Sequence, residues 1–97
     1  MSNMLQDNQW VWVVVEDPGG NEQLLGQHDD HRNVSFIPAF LEKEAAQNAL
    51  SFLPQVSGHN YEVQAIQLSD LTTRAFEKAF KVYLLNGLGH IIEKLEP

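Results

Sequence analysis

The chain contains no cysteine, which excludes a disulfide framework, a thiolate zinc centre and thiol catalysis together. Cations are scarce as well: six Lys and Arg stand against thirteen Asp and Glu, for a formal charge of −7. They form no cluster, so there is no basic stripe to neutralise phosphates, and neither nucleic acid nor an anionic membrane is an expected partner. No apolar run approaches the roughly 20 residues that a membrane-spanning helix requires. The polar start Met1 to Asn8 also lacks the charged-then-apolar plan of a signal peptide, so the expected location is the cytoplasm.

Catalytic motifs are missing too. Gly19-Gly20 runs into Asn21-Glu22 and a strand pattern instead of a helix N-terminus, so no phosphate loop forms there. None of Ser2, Ser35, Ser51, Ser57 and Ser69 occupies a nucleophile-elbow context. Glu42 and Glu44 open a helical pattern, where the helix dipole favours negative charge, and Glu16, Asp17 and Glu22 solvate a turn. No catalytic residue and no cofactor is implied.

What the chain does have is a run of six β-formers, Trp10 to Val15, between Gln9 and Glu16. Strand side chains alternate, so Trp10, Trp12 and Val14 share one face and Val11, Val13 and Val15 the other. Both faces therefore need cover. At 97 residues the chain fits one domain, expected over residues 9–97 after a flexible leader at 1–8.

Turn chemistry in Asp17-Pro18-Gly19-Gly20-Asn21 separates the first strand from a hairpin partner at Glu22 to Gln27. A polar loop, His28 to Asn33, leads into a third strand at Val34 to Ile37, which Pro38 ends or edges. From Glu42 to Leu53 the spacing of Ala45, Ala46, Ala49, Leu50 and Leu53 predicts an amphipathic helix. Tyr61 to Gln67 alternates as a strand, and Ser69 is the predicted N-cap of a second helix reaching about Phe80 and carrying Leu71, Ala75 and Ala79, with Leu71 and Ala75 facing the core. Lys81 to Leu85 and His90 to Leu95 flank Asn86-Gly87-Leu88-Gly89, a predicted tight reversal. The order β-β-β-α-β-α-β-β predicts an α+β fold. It is a mixed, mostly antiparallel sheet of five to six strands with two helices on one face.

Two clusters carry candidate chemistry. His28-Asp29-Asp30-His31 is the densest set of metal-ligand types, so His28, Asp30 and His31 are the predicted metal ligands, which His59 or His90 could join; the alternative is a solvated loop. Trp10, Trp12 and Val14, extended by Tyr83 and Leu85 if the strand at 81–85 lies beside the first, form a predicted interface patch; the alternative is a helix-covered core face, with Val11, Val13 and Val15 outward. Two helices on one face would leave that patch bare, and a homodimer is the expected cover.

Phe36-Ile37-Pro38-Ala39-Phe40, followed by Glu44-Ala45-Ala46 opening a helix, resembles the strand-Pro-x-Phe-helix element of the SseB-like family, small bacterial α+β domains linked to enhanced serine sensitivity. The valine-rich strand, Pro18-Gly19-Gly20-Asn21-Glu22 and Asn33-Val34 are similar to a small cyanobacterial family. Neither resemblance brings a catalytic residue. Both imply a small α+β domain with an accessory or regulatory role; the strand pattern itself points to an interaction module acting through a sheet face or edge on a second copy of the chain or a protein partner.

Overall fold

The computed structural model describes residues 6–52 and 57–95. Strand β1 spans Trp10–Glu16, β2 Gln23–Leu24, β3 Gln27–Asp29 and β4 Val34–Phe40; helix α1 spans Lys43–Leu50, β5 Tyr61–Gln67, α2 Leu68–Glu77, β6 Lys81–Leu85 and β7 Ile91–Leu95. The result is the expected α+β fold on a mixed, mostly antiparallel sheet, with seven strands in place of five to six.

The sheet is organised around β1. Its whole length pairs antiparallel with β5, from Trp10 opposite Gln67 to Glu16 opposite Tyr61. On its other side it meets β4 only at Trp12 opposite Phe40 and Val13 opposite Ala39. Beyond that point β1 and β4 diverge, and the segment 23–29 fills the opening. β2 pairs Val15 with Leu24 and Glu16 with Gln23, while β3 pairs Gln27 with Phe36 through Asp29 with Val34. The expected single partner at Glu22 to Gln27 is thus two short strands that serve different neighbours. Strand β6 adds parallel to β4, and β7 adds antiparallel to β6 at the edge.

Pro38 was expected to end or edge its strand, yet β4 continues through it to Phe40. The missing N–H is tolerated because Pro38 lies where β4 changes neighbour. The ladder to β3 stops at Phe36 and the ladder to β1 begins at Ala39.

The two helices do not share a face, contrary to the expectation. Leu68, Leu71 and Ala75 of α2 pack with Val11, Val13 and Val15, with Ile37 and Ala39, and with Val82 and Leu84. Ala46 and Ala49 of α1 pack with Phe40, Tyr83 and Leu85, which project from the opposite side of the same strands, and Trp12 packs against that cluster. Topology explains it. Strands β4, β5 and β6 are parallel, since β1 is antiparallel to both β4 and β5 and β6 is parallel to β4. The crossover from β4 to β5 runs one way across the sheet and that from β5 to β6 runs back. Two crossovers of one hand that travel in opposite directions leave their helices on opposite faces. The two-faced hydrophobicity of β1 is therefore satisfied within the chain: Val11, Val13, Val14 and Val15 are all buried.

Helix boundaries moved by a few residues. α1 ends at Leu50, which is half-buried, and Leu53 lies outside the described residues. α2 starts directly after β5, so Ser69 sits inside the first turn, where its N–H donates to the Asp7 carbonyl at 2.9 Å. Residue 7 of the expected leader is thereby tied to the domain. At the other end of α2, Phe80 N–H reaches the Ala75 carbonyl and Ala79 N–H the Phe76 carbonyl, a Schellman closure with Ala79 at φ 62°.

Candidate functional site

The predicted interface residues divide. Val14, Tyr83 and Leu85 are buried in this chain's own core, Tyr83 and Leu85 against Ala46 and Ala49 of α1, and so are not surface anchors. Tyr83 stacks on Phe36 with ring centroids 4.4 Å apart, and the Lys94 ammonium lies 5.5 Å from its ring. Trp12 is half-buried with the Lys43 ammonium 5.6 Å from its ring. Only Trp10, 58% exposed, stands clear at the start of β1.

Exposed apolar surface is found elsewhere instead. Phe52 is 67% exposed, Leu88 69%, Ile91 41% and Ile92 47%. Phe52, Leu88 and Ile91 line one shallow hollow together with Phe36 and Leu85. Leu88 is presented by the β6–β7 turn, which the Asn86 side chain organises: its Oδ1 accepts from Leu88 N–H at 2.9 Å and from His90 N–H at 3.0 Å. The left-handed residue of this turn is Gly89 at φ 85°, so Asn86 acts through its side chain and not through the Asn-Gly turn expected from the sequence.

The loop at His28 to His31 does not assemble a metal centre. The His28 ring places Nδ1 3.2 Å from Ser35 Oγ and Nε2 3.7 Å from Asp30 Oδ1, so its two nitrogens face different partners. Asp29 Oδ1 accepts from the N–H groups of His31 and Arg32, and Oδ2 accepts from the Arg32 guanidinium at 2.9 Å. The guanidinium bond, foremost, holds the Asp29 carboxyl below its ordinary pKa. This is turn chemistry: an Asx-type bond closing the reversal into β4. His31 does not converge with His28 and Asp30.

A different triad does converge. Glu16, Asp17 and His59 bring one ligand atom each within 4.8 Å of one another, the one such group among the described residues. Glu16 ends β1 and Asp17 follows in the left-handed region at φ 54°. The turn it begins has Pro18 second and Gly19 third at φ 82°, closed by Gly20 N–H on the Asp17 carbonyl, which is type II geometry. Because Glu16 pairs with Tyr61 across the β1–β5 ladder, residues 59 and 60 must run past this turn. Asp17 N–H donates to the Asn60 carbonyl at 2.8 Å, and Asn60 N–H returns a bond to Asp17 Oδ1 at 3.2 Å. That leaves Asp17 Oδ2 2.7 Å from His59 Nδ1, with Glu16 Oε2 3.0 Å from the same nitrogen.

One imidazole nitrogen thus serves two carboxylates. The bond to Asp17 is the main cause that raises the His59 pKa above the ordinary imidazole value, and the same bond lowers that of Asp17. The residues were conspicuous one by one in the sequence. Their meeting follows from a strand pairing between distant segments, which no local pattern announces.

A groove of about 840 Å³ opens between residues 22–27 and the last turns of α2. Gly26 lies over its Phe80 ring so closely that a Cβ there would stand 2.6 Å from Cε2. No family model, no curated protein and no solved structure matches this chain.

Proposed function

We propose that this chain is a small cytoplasmic interaction or accessory module that dimerises through the β6–β7 end of its sheet. The observation that carries the reading is the hollow that Phe52, Leu88 and Ile91 line, with Gln27, His28 and Asp29 on its polar side and Ile92 also exposed, on an otherwise acidic molecule. Contiguous apolar surface of this kind is costly to leave wet and marks contact surfaces. Strand β7 adds to it, since it pairs only with β6 among the described residues and offers a free sheet edge. A second copy is the most economical occupant, because a two-fold axis would cover hollow with hollow.

Sedimentation equilibrium tests this. The wild type should dimerise at micromolar concentration, and Leu88→Asp with Ile91→Asp should give a folded monomer. A strictly monomeric wild type at high micromolar concentration sinks the dimer.

The second reading is a divalent-cation site, favoured by the convergence of Glu16, Asp17 and His59. A nitrogen and two carboxylate oxygens suit zinc or manganese, and the cation would take the place of the proton on Nδ1. Calorimetric titration with zinc should then release a proton near neutral pH and lose its heat in His59→Ala. No zinc heat at micromolar protein leaves the triad as an ion-paired turn.

A further inference from the structure

The groove beside residues 23–29 is distinct from the hollow of Phe52, Leu88 and Ile91, and it shares Glu16 with the triad. Its floor is apolar, built from Leu24, Leu25, Ile37, Ala75 and Phe80, and its volume of about 840 Å³ falls within the range that small ligands occupy. The charges around it are unequally committed. Glu16 is engaged by His59, and the Glu22 carboxylate accepts the Gly19 N–H at 3.3 Å. Arg74 in the last turn of α2 and Lys78 at its C-cap line the groove and make no ion pair among the described residues. Glu22 and Glu77 are the acids on its wall that oppose them, and His28, bonded to Ser35, also lines it.

A chain with only six Lys and Arg therefore places two of them, unpaired among the described residues, beside a recess with an apolar floor. Long cationic side chains of this kind can lay their methylenes along an apolar wall and present the charge at its mouth. We propose that this groove binds a small organic anion with an apolar body: its carboxylate or sulfonate on Arg74 and Lys78, its alkyl or aromatic part against Ile37 and Phe80.

The test is calorimetric titration of the full chain with decanoate and with anilinonaphthalene sulfonate, decanol serving as the uncharged match. Saturable one-to-one binding of both anions is expected, with decanol at least tenfold weaker. Arg74→Gln with Lys78→Gln should weaken both anions at least tenfold. Lys43→Gln with Lys94→Gln removes the same charge from the opposite face and should leave them unchanged. Both pairs are at the surface, so each variant keeps its fold, checked by its amide spectrum. Absence of saturable binding overturns the proposal. So does equal loss in the two double variants, or anion binding that survives Arg74→Gln with Lys78→Gln and disappears in Leu88→Asp with Ile91→Asp.

Discussion

The two faces of the sheet are covered by opposite means. On the α2 side the strands offer valine, isoleucine, alanine and leucine, and the helix supplies bulk through Leu68 and Leu71. On the α1 side the strands offer Phe40, Tyr83 and Leu85, and the helix supplies almost no volume, only Ala46 and Ala49. Interiors fill to a nearly constant density, so large strand residues demand small helix residues and the reverse. The pairing also has a cost. An alanine-faced helix of eight residues covers little area, and the apolar hollow at Phe52, Leu88 and Ile91 lies just beyond its reach.

Substitution can break this complementarity in graded steps. The largest effect is expected from Phe40→Ala, which empties the volume that α1 rests on and should cost about 3–5 kcal/mol in urea denaturation. Leu71→Ala on the other face should cost about 2–5 kcal/mol, because there the helix itself carries the bulk. Next comes Ala46→Leu. If the helix is seated closely on Phe40 and Tyr83, overpacking should cost about 1–3 kcal/mol, while Gln47→Leu on the exposed side should change little. An Ala46→Leu variant as stable as wild type would mean that α1 is not seated as described.

A smaller effect, of opposite sign, separates the helix ends. α1 ends on Ser51 in ordinary right-handed geometry, whereas α2 ends on Ala79 at φ 62°, a conformation that penalises any Cβ. Ala79→Gly should therefore stabilise the protein by about 0.4–1 kcal/mol, read as a shift in urea midpoint at unchanged slope.

The smallest effect belongs to the exposed clasp at Asp17 and His59. The His59 pKa is raised, so its contribution is complete below the ordinary imidazole value and fades as pH rises through the folded one. The Asp17 pKa is lowered, so its contribution is complete above the ordinary carboxylate value and fades as pH falls through the folded one. Urea midpoints of wild type should exceed those of Asp17→Asn most clearly around pH 5, and the gap should narrow at pH 9 and pH 2.5. A gap independent of pH would show that the backbone bonds to Asn60 alone hold the loop.

Much of the architecture was legible because it is local. The alternation of Tyr61 to Gln67, the spacing of Ala46 and Ala49, and the turn at Pro18-Gly19 each declare themselves within a few residues. Strand order does not. That β5 lies outside β1 is written nowhere near either segment, and that one fact sends α1 and α2 to opposite faces and brings His59 to Asp17. Trp12, Tyr83 and Leu85 are apolar enough for either an interface or a core, so without the placement of α1 the two cannot be told apart. In the His28 to His31 segment, residue type pointed to metal, while the hydrogen bonds of Asp29 made a turn.

The ladder between β1 and β5 also sets an order of events during synthesis. Trp10 through Glu16 leave the ribosome early, but their full-length partner, Tyr61 through Gln67, follows only after β4 and α1 have been made, and α2 later still. Until then the most hydrophobic strand of the chain has one face and one edge without their final cover. Pairing of this sequence separation slows folding and lengthens exposure of sticky segments. For this protein the interval between translating residue 16 and residue 77 is the period of greatest aggregation risk, and the one in which a chaperone would have the most to bind.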